Sequence, residues 1–182
     1  MPWGCNLFQR RIAFLQSARK TLGYYKLMST RIAVAGLAVI ASLTAFVVGW
    51  EGQEFVPYRD IGGVWTVCAG VTGRHVIPGK LYTQRECRAL TNGAIRTHGE
   101  ALLQCLHYPI TQPQFEALTS WAYNVGTTAA CKSTLVKKIN ANYPAENWCP
   151  ELMRWNRVKG KVIRGLTNRR KAELTQCLSL NT

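Results

Sequence analysis

Acidic side chains are scarce in this chain of 182 residues, where 9 Asp and Glu face 23 Lys and Arg and the formal net charge is +14. A basic partner is thereby disfavoured. Wall polymers, nucleic acid and anionic lipid all suit such a charge, which does not choose among them. Basic residues interleaved with aromatics, the pattern expected for nucleic acid, are missing, so no nucleic acid is expected as a partner. No acid precedes Glu51, whereas Arg10, Arg11, Arg19, Lys20, Lys26 and Arg31 all do. Charge of either sign is missing from Ile32 to Trp50. There is no Cys-x-x-Cys pair, and His75, His98 and His107 are scattered, so a metal site is not expected and no cofactor is implied. The 47% hydrophobic and 18% charged fractions exclude a disordered chain.

The uncharged run from Ile32 to Trp50 is about long enough to span a bilayer as a helix. Positive charge ahead of it keeps the N-terminus in the cytoplasm. The run is weakly apolar, because Ala33, Ala35, Gly36, Ala38, Ala41, Ser42, Thr44, Ala45 and Gly49 favour insertion far less than Leu, Ile or Phe. A removed signal peptide is one reading, although Leu43 spoils a small-x-small cleavage site at Ala45. A permanent anchor is another. Met28-Ser29-Thr30-Arg31 forms a compact positive start to the run, so residues 1–27 read as an upstream extension before Met28 or as a basic amphipathic helix from Leu7 to Leu27. Three segments follow: a basic cytoplasmic segment over 1–31, a hydrophobic segment over 32–50 and a soluble domain over 51–182. The cysteines number seven, and an odd count in an exported chain leaves one thiol over. Cys5 alone precedes the run, so Cys68, Cys87, Cys105, Cys131, Cys149 and Cys177 would share an oxidising compartment, with their pairing open at this point.

After the run, Tyr58 to Val76 alternates β-branched and aromatic residues with Gly and predicts a small antiparallel sheet. Thr83-Gln84-Arg85-Glu86 reads as a capping box opening a helix to about Cys105. Pro109 to Pro113 breaks it, and Gln114 to Asn124 is predicted as the next helix, ended by Gly126. Further helices are expected over 133–141, 145–155 and 168–178. The architecture is α+β, with a small β lobe, a connecting helix and a larger α lobe.

The chemistry lies in the string Glu51-Gly52-Gln53-Glu54-Phe55-Val56-Pro57-Tyr58-Arg59-Asp60-Ile61-Gly62-Gly63-Val64-Trp65-Thr66-Val67-Cys68-Ala69-Gly70. Glu51, Asp60 and Thr66 place two carboxyls and a hydroxyl on either side of a Gly-rich turn. A glycosidic bond needs such a set, because its oxygen leaves only when protonated while a second carboxylate assists at the sugar carbon. Burial at the end of an apolar helix would keep Glu51 an acid near neutral pH. Asp60, on a polar turn beside Arg59, would stay ionised and hold a water with the Thr66 hydroxyl. Singly, each residue reads as an ordinary helix-end, turn or strand residue; jointly they read as a site.

The string resembles the active-site segment of the phage-type, T4-like lysozymes and endolysins, and Glu51, Asp60 and Thr66 match that family's catalytic residues. The resemblance continues more loosely through Gln112-Pro113-Gln114-Phe115-Glu116-Ala117-Leu118, Tyr123-Asn124-Val125-Gly126, Arg154-Trp155 and Gly165-Leu166-Thr167-Asn168-Arg169-Arg170. It implies a lysozyme-like fold and a muramidase cutting the β-1,4 bond between N-acetylmuramic acid and N-acetylglucosamine of peptidoglycan, causing host lysis. It further implies the signal-anchor-release subgroup, in which the N-terminal helix sits in the host inner membrane before the enzyme is released to the periplasm. Tyr123 and Asn124 are the implied sugar contacts, weighed against core packing for Tyr123 and a helix cap for Asn124. The implied disulfides are Cys68–Cys87, Cys149–Cys177 and, with them, Cys105–Cys131, leaving Cys5 free. A monomer is expected. One departure is Gly70-Val71, where many members have Gly-His. A lytic transglycosylase and a non-catalytic tethered wall binder are the competing functions; the Asp60 and Thr66 pair is superfluous to the first, and the second requires a dead site.

Overall fold

The computed structural model describes residues 36–60 and 62–179. Segment 1–31, with Cys5 and the start at Met28, lies outside them, as does the beginning of the uncharged run. Helix α1, Gly36–Glu51, takes up the rest of that run and ends on Glu51 itself. Gly52 follows at φ 72°, a left-handed conformation that stops the helix. One stripe of α1 is buried: Leu43 and Val47, one turn apart, are 1% and 0% exposed, while Ala41, Ala45 and Gly49 face outward. Thr44 Oγ1 lies 2.6 Å from Asn92 Oδ1, and Ser42 Oγ donates to Glu116 Oε1 at 3.0 Å. The small residues that make the run a weak membrane segment thus let it pack and hydrogen-bond as an ordinary helix. Among the described residues, no helix is long and apolar enough to cross a membrane.

Three short antiparallel strands follow: β1 (Glu54–Arg59), β2 (Trp65–Cys68) and β3 (Val71–Thr72), in that order across the sheet. Tyr58 pairs with Thr66 and Arg59 with Trp65, then Thr66 with Thr72 and Val67 with Val71. Val67, Cys68, Val71, Val76, Tyr82 and Cys87 form the β-lobe core. Val71, the departure from the family pattern, is 5% exposed and fills that core with an aliphatic group. Residues 73–83 carry no strand; Tyr82 organises them, its hydroxyl donating to His75 O at 2.6 Å and accepting from Ile77 N at 2.9 Å.

Helix α2, Gln84–Cys105, joins the lobes. Both halves of its capping box form, with Thr83 Oγ1 accepting from Glu86 N and Glu86 Oε2 accepting from Thr83 N. Lys80 and this cap hold the Glu86 carboxyl down at about 2. Cys87, Thr91, Ile95, Gly99 and Leu102 make its buried face. At Gly99 a Cβ would stand 3.0 Å from Phe115 Cζ on helix α3, Gln112–Val125, so any larger residue there would have to push that ring aside.

The α lobe is built around α3, whose residues Ala117 to Ala122 are all buried. Around it lie α4 (Thr127–Lys132), α5 (Thr134–Asn140), α6 (Ala145–Trp148), a 3-10 turn (Cys149–Arg154) and α7 (Arg164–Leu178). A two-stranded ribbon, β4 (Arg157–Val158) and β5 (Lys161–Val162), precedes α7. Disulfides join Cys68 to Cys87, Cys105 to Cys131 and Cys149 to Cys177, the pairs that the resemblance implies. The observed classes agree with the α+β expectation. Differences are local: α3 begins two residues early, the helix expected over 145–155 is split, α7 begins four residues early, and α4 and the β4–β5 ribbon are additional.

Candidate active site

Glu51 ends α1 with a side chain 24% exposed. Its surroundings are not the apolar wall that the sequence suggests: Arg169 Nη1 donates to Glu51 Oε1. The other oxygen, Oε2, is directed at Gly70, where a Cβ would lie 3.9 Å from it. The last turn of α1 is therefore placed between α7 and the β2–β3 turn.

Arg169 is itself fixed in place. It is 3% exposed; its Nη2 donates to Ser120 O at 3.0 Å and its Nε to Glu173 Oε1 at 3.1 Å. Glu173, fully buried, also accepts from Ser120 Oγ at 2.8 Å and Arg170 Nη2 at 2.9 Å, and its Oε2 lies 2.7 Å from Arg170 Nε. One buried carboxylate so bridges two guanidinium groups, which burial alone would strongly disfavour, and Glu51 supplies Arg169 with the second negative charge of the cluster. Burial lowers Arg170 to about 10, still a cation near neutral pH. Neither Arg169 nor Glu173 stands out as a site residue in the sequence. Their spacing of four on α7 was the available signal, since i and i+4 share a helix face.

Asp60 follows the end of β1, in the turn to β2. Its Oδ1 accepts from Gly62 N at 2.8 Å and Val64 N at 2.9 Å, while its own N–H donates to Val64 O at 3.0 Å. The carboxylate thus builds the turn through one oxygen and has Oδ2 for other work. Arg59 braces the same turn, donating to Gly63 O at 2.6 Å and lying 4.7 Å over the Trp65 ring. Thr66, in β2, is 3% exposed and donates Oγ1 to Val64 O at 3.1 Å. Its proton is committed, so its oxygen is an acceptor for any further partner.

Tyr123 and Asn124 lie half-buried on the last turn of α3, which Gly126 ends at φ 86°; the cap is glycine, not Asn124. The Tyr123 hydroxyl donates to Ala69 O at 2.7 Å, tying the α lobe to the β2–β3 turn. Its ring stands 5.1 Å from His98 and 3.9 Å from the Cβ position of Gly70. Burial first, then the charge of Glu51, pushes its phenol far above the ordinary value. Tyr123 therefore remains a neutral donor beside the candidate acid. His98, in turn, is lowered by burial and has Nδ1 3.0 Å from Thr127 Oγ1. Among the described residues, no group of three His, Cys, Asp or Glu could hold a metal ion.

A carboxyl at a helix end, a second carboxylate on a hairpin turn and a hydroxyl on the following strand can protonate a leaving group and handle a water. Comparison with known proteins agrees with this chemistry. A sequence model of the family described as phage lysozyme matches residues 48–173, a span that holds Glu51, Asp60, Thr66 and Arg169. The SAR-endolysin of Enterobacteria phage P21 is 41% identical over 130 residues, 71% of this chain and 78% of that protein. The SAR-endolysin of Escherichia phage Mu is 35% identical over 150 residues, 81% and 86% of the two chains. The structure of an endolysin from Escherichia coli O157:H7 phage FAHEc1 is similar with a TM-score of 0.66 at 29% identity, covering 75% of this chain and 90% of that one. The chain belongs to the phage lysozyme family.

Proposed function

We propose that this chain is a muramidase endolysin that hydrolyses the β-1,4 bond between N-acetylmuramic acid and N-acetylglucosamine in peptidoglycan and thereby lyses the host. The observation that carries the reading is the placement of Glu51, held by Arg169 through one oxygen and facing the β2–β3 turn with the other. Glu51 in its acid form gives a proton to the glycosidic oxygen as the bond to the sugar carbon breaks. Asp60 Oδ2 takes a hydrogen bond from the water, as does Thr66 Oγ1, whose own proton goes to Val64 O. The water adds to the sugar carbon and its proton passes to a carboxylate, so the product is a reducing sugar. A lytic transglycosylase would make an anhydro end and use no water. Tyr123 and Asn124 border the substrate on the α-lobe side.

The same reading places residues 1–31 in the cytoplasm and residues 32–50 as a signal anchor in the host inner membrane, from which the enzyme is released to the periplasm as a monomer. Support comes from α1, whose described part of the run buries Leu43 and Val47 in the enzyme. A helix seated in lipid could not make those contacts, and Glu51 would be kept from Arg169. The activity is tested by Glu51→Gln, which removes the proton to be donated. Turnover on purified peptidoglycan is expected to fall on the order of 10²-fold or more, with cooperative unfolding retained although the ion pair to Arg169 is lost. A folded variant acting at the wild-type rate would overturn the assignment.

A further inference from the structure

The ribbon between the 3-10 turn and α7 is ordered yet exposed along its whole length. Arg157 pairs with Val162 and Val158 with Lys161. Lys159 and Gly160, at φ 47° and 79°, form the two-residue turn that matches strand twist. Arg157 Nη1 closes it by donating to Gly160 O at 3.0 Å, and Ile163 N donates to Asn156 O at 2.9 Å at its base. Yet every residue from 157 to 165 is exposed. Val158, Val162 and Ile163 are 47%, 53% and 39% exposed, against the ordinary tendency of β-branched residues to be covered. Arg157, Lys159, Lys161 and Arg164 stand among them, and no acid occurs in the chain between Glu151 and Glu173.

The distribution of these groups selects the occupant. Side chains alternate faces along a strand, so one face of the ribbon carries Val158 with Lys161 and the other Arg157 with Val162. A protein partner would bury one apolar face and leave the other wet. Each face here is half cationic and half aliphatic, which suits a layer offering phosphate and hydrocarbon side by side. Polysaccharide and peptide of the wall offer carboxylates but no apolar layer. We propose that the Arg157–Arg164 ribbon docks the folded enzyme on anionic phospholipid, its cations on headgroup phosphates and its aliphatic groups at the acyl boundary. This surface is independent of the catalytic reading and of the N-terminal segment, and it would keep the enzyme beside the membrane after release.

The test uses the full chain with phosphatidylcholine vesicles, with or without phosphatidylglycerol, and reads acylation of individual lysines by mass spectrometry with Lys137 on α5 as the reference. Lys159 and Lys161 are expected to lose reactivity severalfold on anionic vesicles and to keep it on neutral ones. Replacing Val158→Ser and Val162→Ser is expected to restore much of that reactivity. Because the readout is local, attachment through the N-terminal run does not mimic it, and because no hydrolysis is measured, failure of the muramidase assignment leaves it intact. Equal reactivity on both vesicles overturns the proposal. So does protection by isolated wall sacculi without protection by vesicles, which would assign the ribbon to the substrate.

Discussion

Glu51 finds its cation 118 positions along the chain, at Arg169, and that contact couples the helix carrying the acid to α7 of the α lobe. A charge-assisted hydrogen bond of this kind contributes about 1.5–3 kcal/mol. Arg169→Gln is therefore expected to lower kcat on purified peptidoglycan by roughly tenfold or more, with KM moving little, because the contact orients the acid without binding sugar. An unchanged kcat in a folded variant would remove Arg169 from the site. Glu173 acts one step further back. Glu173→Gln leaves the buried Arg170 without its counter-charge and Arg169 with Glu51 alone, and is expected to cost about 3–5 kcal/mol in urea denaturation; a loss below about 1 kcal/mol, the scale of an exposed ion pair, would show that the cluster is solvated. The residues legible in the sequence were those bunched in one string, Glu51, Asp60 and Thr66. Arg169 and Glu173 were hidden because their role arises only where α7 packs against α1 and α3.

Elements were legible where their ends are written in side chains. The Thr83 and Glu86 box fixed the start of α2 at Gln84, as expected from the sequence. A second box, Thr111 with Gln114, sits within the segment read as a helix breaker; Pro113 in the first turn interrupts nothing, since its missing N–H has no partner there. Helix α4 is not legible because two threonines and three small residues carry no apolar stripe, nor is the β4–β5 ribbon, whose strands are two residues each and whose turn rests on Lys159 and Gly160 at positive φ. The uncharged run shows the widest gap between pattern and outcome. As a string it reads as a membrane segment; as α1 it packs on one stripe and leaves Ala41, Ala45 and Gly49 outward. Changing these three to Leu leaves the docked face alone and adds insertion strength of about 0.5 kcal/mol per residue or somewhat less. That variant is expected to fractionate more with membranes and to lyse cells later than wild type. Lysis on the wild-type schedule with unchanged fractionation would contradict release from the membrane.

At the scale of the molecule, the described residues hold three disulfides that close loops with sequence separations of 19, 26 and 28 residues, one in the β lobe and two in the α lobe. Each loop of this size is worth about 3 kcal/mol of restriction on the unfolded chain. The Cys149–Cys177 bond clamps the 3-10 turn to α7, the helix that carries Arg169. Removing it with Cys149→Ala and Cys177→Ala is expected to lower stability by about 3 kcal/mol. Peptide mapping of the exported, non-reduced protein should return the three pairs with Cys5 free, and a Cys5 cross-link to the folded domain would contradict the topology. The central claim, that Glu51 held by Arg169 drives hydrolysis of the wall glycan, is tested most directly by product analysis. Purified peptidoglycan digested by wild type and by Glu51→Gln is separated and weighed by mass spectrometry. Fragments ending in reducing N-acetylmuramic acid from wild type, and next to none from the variant, are the expected result; anhydro ends, or equal yields from both proteins, would contradict it.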